Sequence, residues 1–282
     1  MPSMKSIKRR ISSVSTTRQV MKAMDMVATS KLARTKFQMV AARPMFDEAW
    51  RIMEGLRGSE AAEGNVWLTP RKVENTAYLV VAGDRGLCGS YNHSVSQLVL
   101  EHMLERGNEK VISVGLKGRD FLRRRGRNVI NVAVSPSETT FYTEATRIGS
   151  LLMSMYKSGE VDEVFVAYTH FETVMSHVPA LVRILPFDAT ASEDSGFNWM
   201  QFELGLEAYL DYAINMFVCS FIYGALLEAA TSEHASRMVN MNAAVGNASD
   251  IIDDLTLAYN RRRQAVITQE ISEIINGITV TA

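Results

Sequence analysis

The two ends of this 282-residue chain are nearly free of helix breakers, and nothing else in the sequence constrains the fold as strongly. Between Met4 and Gly55 there is one proline, Pro44, and no earlier glycine. From Gln201 to Asn276 there is no proline, and glycine occurs only at Gly205, Gly224 and Gly246. Stretches of this length without breakers are helical unless strand patterning opposes it. Met238, Met241, Val245, Ala248, Ile252, Leu255 and Tyr259 are spaced alternately by three and four residues, which is an a/d heptad seam. Ile7, Ile11, Val14, Met21, Ala28 and Leu32 keep similar spacing near the N-terminus, interrupted by Arg18 and Asp25. At 1.5 Å per residue the two helices reach about 80 Å and about 110 Å. A lone helix has little tertiary support. The expectation is therefore an antiparallel coiled coil, with Ile7, Ile11, Val14 and Met21 against the late part of the 238–271 seam.

The middle of the chain has a different pattern. Residues 77–82, 111–114, 129–134, 164–168 and 179–185 read as buried strands. Between them, residues 94–106, the basic run Arg119–Arg125 and residues 140–157 read as helices. Strands alternating with helices predict an α/β domain with a largely parallel sheet, Rossmann-like in plan. The predicted organisation is thus an N-terminal coiled-coil helix (1–57), an inserted α/β domain (75–190) and a C-terminal coiled-coil helix (201–282).

Charge is distributed unevenly. Residues 1–57 hold twelve Lys and Arg against four acids, a net of +8, which leaves -9 for the rest of a chain whose total is -1. A basic helix of this kind suits nucleic acid, an anionic membrane surface or a partner protein. Aromatic residues that stack bases are absent before Phe37, and the apolar positions form a seam for another helix. A protein partner is the favoured reading, with no nucleic acid. No uninterrupted apolar run approaches the roughly 20 residues a bilayer span needs, so no direct membrane insertion is expected. Cys88 and Cys219 stand far apart and predict no disulfide.

Little in the sequence promises chemistry. Gly83, Gly86 and Gly89 follow a strand and precede a helix, where a phosphate-binding turn would lie. Their spacing of three fits neither G-x-G-x-x-G nor a P-loop, and a structural turn is the better reading. Cys88 with His93 makes a weak nucleophile pair, lacking a third group. The five histidines have no metal-ligand spacing. No catalytic residue, cofactor or metal is predicted. An α/β enzyme binding a dinucleotide or phosphate, and a coiled-coil adaptor for nucleic acid, are the competing readings.

Several segments are distinctive together: Met4–Ile11 (MKSIKRRI), Lys22–Leu32 (KAMDMVATSKL), Asp84–Gly89 (DRGLCG), Ser232–Met241 (SEHASRMVNM) and Tyr259–Ile271 (YNRRRQAVITQEI). They resemble the gamma subunit family of F-type ATP synthase across nearly the whole chain. The match departs at Gly83, Ser90 and Tyr91 around the central loop, and at Glu203-Leu204, where relatives often carry an acidic-proline pair. The resemblance implies a non-catalytic rotor shaft turning inside a hexamer of alpha and beta subunits. It also implies contacts with the epsilon subunit and the c-subunit ring, and a place on the cytoplasmic face of a bacterial cell membrane as a peripheral part of the complex. By the same resemblance, Lys22, Met24, Lys31, Arg34, Arg237, Arg263, Gln264, Thr268 and Glu270 are beta-subunit contacts or coupling positions. Met200, Phe202, Glu203 and Glu207 are c-ring contacts at the foot.

Overall fold

The computed structural model describes residues 3–55, 65–104, 108–137, 139–187 and 206–281. Its elements are α1 (Met4–Gly55), β1 (Asn75–Val81), α2 (Tyr91–Leu104), β2 (Asn108–Val114), α3 (Leu116–Arg123), β3 (Val129–Ala133), α4 (Phe141–Lys157), β4 (Glu163–Phe171), β5 (His177–Leu185) and α5 (Leu206–Thr281). The chain divides into two compact units. One comprises Met1–Ala28 with Met238–Ala282; the other is Thr29–Arg237.

The larger unit is built on a five-stranded sheet in the order β3-β2-β1-β4-β5. β3, β2, β1 and β4 are parallel neighbours, and β5 pairs antiparallel with β4 at the edge. Alternation along the strands sends side chains into two separate cores. Ala77, Leu79, Val81, Ile112, Val114, Val164 and Val166 enter one with α4, α5 and the later part of α1. Tyr78, Val80, Val111, Phe165 and Ala167 enter the other, under α2 and α3. Covering both faces explains why β1 reads as a continuous apolar run rather than an alternating one.

α1 passes through Pro44, whose ring is on the solvent side, so the backbone carbonyl that loses its N–H partner is open to water. On α5, the opening part of Tyr209–Ile274 is long and apolar enough by composition to cross a membrane, which corrects the expectation that no such stretch exists. It is core instead: 67% of that stretch is buried inside the protein. Leu210, Ile214, Phe217, Phe221 and Leu226 supply its buried face.

In the smaller unit, partial or full burial falls at Met4, Ile7, Ile11, Val14, Ser15, Arg18, Met21, Asp25 and Ala28 of α1. On α5 it falls at Met238–Met241, Ala244, Val245, Ala248, Ser249, Ile252, Leu255, Tyr259, Arg262 and Val266, and from Ile267 to Ile274 the helix is exposed. Arg18, which interrupts the apolar seam, donates from Nη1 to Ser249 Oγ at 3.3 Å.

Candidate functional site

In an open α/β sheet, ligands bind beyond the carboxyl ends of the strands where the strand order reverses. Here that place lies between β1 and β4, and the chain fills it with its own side chains. The turn after β1 folds back on itself: Asn92 Oδ1 accepts from the Gly83 N–H at 2.7 Å, and Asn92 Nδ2 donates to Arg85 O at 3.1 Å. Asp84 Oδ1 accepts from the Leu116 N–H at 2.9 Å, and Oδ2 from the Ser135 N–H at 3.1 Å. One carboxylate thereby occupies the first turn of α3 and ties together the ends of β1 and β3. Gly115 sits at φ 92 against Ala82 O, where a Cβ would collide with backbone. At Gly83 a Cβ would come within 2.8 Å of the Glu233 carboxyl, so α5 presses an acid against the turn. An anion entering here meets Glu233 and Asp84 rather than free N–H groups.

Cys88 is buried, 3.2 Å from Asn92 Nδ2, and burial, with the nearby Glu233, pushes its thiol pKa up. His93 lies edge-on to Phe121 instead of serving the thiol. Among the described residues no group of three His, Cys, Asp or Glu is placed to hold a metal.

α5 is bonded to the larger unit along one stretch. His170 Nδ1 meets Glu228 Oε2 at 2.6 Å. Tyr91 donates to Ala229 O at 3.0 Å, Ser232 to Thr169 O at 3.2 Å, and Ser236 to Cys88 O at 2.7 Å. Arg237 pairs with Glu233 and reaches Gly86 O at 3.5 Å; both side chains of the pair are only 15% exposed. Arg237 Nη1 also approaches His234 Nδ1 at 3.4 Å. A guanidinium only donates, so Nδ1 accepts and the ring is neutral. Burial first, then Arg237 and Lys31, drives the His234 pKa down to about 4.

The predicted contact residues thus fall into different environments. Lys22, Met24, Lys31 and Arg34 are exposed on α1. Arg263, Gln264, Thr268 and Glu270 are exposed on α5, and Thr268 Oγ1 caps back onto Gln264 O at 2.9 Å. Arg237 differs from these, being held inside the chain. Glu207 falls in the first turn of α5, while Met200, Phe202 and Glu203 lie outside the described residues. Sequence reasoning missed Asp84, Tyr91, Asn92 and Glu233. Only Glu233 carried a local signal, standing four residues before Arg237 on one helix face.

Residues 3–280 match the ATP synthase family. The ATP synthase gamma chain of Alkaliphilus metalliredigens is 38% identical over 280 residues, covering 97% of each chain. The chain belongs to the ATP synthase gamma chain family. Acetobacterium woodii has another relative in this family, described as sodium ion specific, at 36% identity over 96% of each chain. Solved structures carry the same fold at lower identity. The Tetrahymena thermophila mitochondrial central stalk and c-ring structure contains a chain with TM-score 0.66 at 24% identity, covering 80% of this chain and 99% of that one. A Euglena gracilis mitochondrial ATP synthase chain gives TM-score 0.69 at 18% identity, covering 99% of this chain and 94% of that one. A gamma chain is a non-catalytic subunit of the complex, and a crevice occupied by the chain's own side chains is consistent with that role.

Proposed function

We propose that the chain is the central rotor shaft of an F-type ATP synthase, coupling ion flow through the membrane c ring to ATP synthesis or hydrolysis in the alpha–beta hexamer. The observation that carries this is end-to-end similarity, 38% identity over 97% of both chains, to an ATP synthase gamma chain. Its partners are the alpha and beta subunits, the epsilon subunit and the c ring. Its place is the cytoplasmic face of the cell membrane, peripheral and within the complex.

The terminal helices form an antiparallel coiled coil with the α/β domain inserted between them, the segments being 1–57, 75–190 and 201–282. The Arg18–Ser249 bond supports this pairing. With the helices opposed at that register, Ile7 faces Asn260 and Met4 faces Arg263, and burial of α5 fades just beyond Arg263. The shaft works by mechanical coupling between distant sites. Lys22, Lys31 and Arg34 face an acidic segment of beta, where exposed pairs of about 0–1 kcal/mol each let the contact move without locking. Met24 lies beside them, and Met24→Lys tightens this contact and lowers coupling. Arg263, Gln264, Thr268 and Glu270 engage beta higher on the shaft, and Arg237 belongs to the same set by family position. Met200, Phe202, Glu203 and Glu207 contact the c ring, and Glu203→Lys weakens coupling to ion flow while sparing hydrolysis by the detached head.

Pull-down of the tagged chain from its native membranes tests the reading. Stoichiometric recovery of an alpha–beta hexamer is expected, and recovery of the chain alone overturns it. Calorimetry of the isolated chain with Mg-ATP is expected to show no one-to-one micromolar site.

A further inference from the structure

We infer that Glu228–Arg237 of α5 is a torsional joint, whose hydrogen bonds to three separate elements fix the rotation of this helix about its own axis against the sheet. The inference rests on the rotor reading above. Five links define the joint: Glu228 to His170 and Ser232 to Thr169 at the end of β4, Ala229 to Tyr91 on α2, and Ser236 and Arg237 to Cys88 and Gly86 in the turn after β1. Glu233 adds steric contact at Gly83 and holds the Arg237 guanidinium in place. The larger unit ends at Arg237, so these are the last residues α5 contributes to it.

The angular spread of the links makes them a joint rather than a seam. At about 100° per residue, Glu228, Ser232, Ser236, Ala229, Glu233 and Arg237 fan across roughly half the helix circumference, over about 13 Å of its length. The hydrophobic term itself is non-directional. A hydrogen bond is stricter. At a side-chain radius of about 5 Å, turning the helix by about 15° moves a side-chain bonding atom by about 1.3 Å, enough to lengthen and misalign its bond. Because the links point in different directions, no single roll relieves them together. Torque applied to the sheet is therefore delivered to α5 at a set angle.

The composition of the stretch supports the same reading. Thr231, Ser232 and Ser236 are buried, within a helix whose preceding turns are filled by Phe217, Phe221, Ile222, Leu226 and Leu227. Buried polar pairs contribute little net stability compared with apolar packing. What they add is geometric definition. Tyr91, Ser232, Ser236, His170 and Glu228 are accordingly positioning residues for rotary coupling.

The test is made on the assembled alpha–beta–gamma complex, with the head fixed to a surface and a bead attached to the chain through Met175→Cys. That position is 80% exposed, whereas the two native cysteines are buried. The angular width of the bead is recorded while the complex is held in a nucleotide-locked pause. Thermal width varies as the inverse square root of stiffness, so removing three of five equal links widens it by up to about 1.6-fold, the limit in which the joint sets the compliance between head and bead. The triple variant Tyr91→Phe, Ser232→Ala, Ser236→Ala is expected to show this broadening with unloaded ATP hydrolysis unchanged. Should the triple variant not assemble, Tyr91→Phe alone carries the test, with an expected widening of about 1.1-fold. An unchanged width in an assembled, rotating complex overturns the joint and leaves the rotor reading intact. Failure of the unmodified chain to assemble or turn overturns the rotor reading, and the joint with it.

Discussion

Arg237 and Arg263 lie on the same helix, belong to the same family-implied set, and occupy opposite environments. Arg237 ends the sheet-bearing unit with its guanidinium largely covered and bonded to Glu233 and Gly86. Arg263 belongs to the helical unit and is exposed. The contrast extends to the units themselves. The larger one buries nearly every residue of β1 and β4 and fills two cores. The smaller one buries little beyond a narrow seam, and Ile251, Leu257, Ile267, Ile271 and Ile274 are exposed. A region whose stability comes from its own core tolerates surface change and punishes core change. A region that buries little beyond one seam draws less of its stability from a core of its own.

The sharpest way to break the comparison is to cut the core. Leu152→Ala removes a fully buried side chain from α4. It should cost about 2–5 kcal/mol in denaturant unfolding. A loss below 1 kcal/mol would mean that the larger unit is not held by its core.

Arg237→Ala comes next. It strands the largely covered Glu233 carboxylate and should destabilise by about 2–3 kcal/mol. Adding Glu233→Ala should restore part of that loss, and a double-mutant cycle reads the coupling. Strict additivity would place Arg237 among the solvated surface charges with Arg263.

The third expectation concerns pH. His234 titrates near 6.5 when unfolded and at about 4 in the fold. As pH falls through this window the unfolded chain binds the proton first, so stability declines from about pH 6.5 towards pH 4 and is complete above it. Up to about 3 kcal/mol of pH-dependent stability follows from a shift of this size. His234→Gln should flatten the profile between those limits, which chemical unfolding at stepped pH will show. An unaltered slope would assign the acid sensitivity to other groups.

Gln264→Ala should produce the smallest effect on the isolated chain, within about 0.5 kcal/mol, because the side chain is exposed. In the assembled complex the same change should lower both synthesis and hydrolysis. Wild-type turnover there would leave Gln264 as ordinary surface.

The helices and strands were readable in the sequence because each depends on a short period. Every heptad position from Met238 to Tyr259 is among the positions that α5 covers in the smaller unit. Every predicted strand is present, with β2 and β4 extending beyond their apolar centres into Asn108–Lys110 and Thr169–Phe171. Those polar ends are strand because neighbouring strands supply partners, Asn75 to Asn108 for example, and a single segment does not reveal its neighbours. The joint was unreadable for the same reason at longer range. Tyr91 and Ala229 are 138 residues apart, and Cys88 and Ser236 are 148 apart. Ser232 and Ser236 look like surface serines on a helix until the turn after β1 and the end of β4 are placed beside them. The spacing of the Gly83–Gly89 turn marks it as structural, but the reason, a carboxylate from α5 lodged against it, exists only in three dimensions.

The central claim is that this chain rotates, and a rotation assay addresses it most directly. The alpha–beta–gamma complex is fixed by its head, a bead is attached through Met175→Cys on the exposed turn between β4 and β5, and ATP is supplied. The account predicts continued one-way stepping of the bead that stops when ATP is withdrawn. A bead that stays at one angle while the same complexes hydrolyse ATP would contradict it.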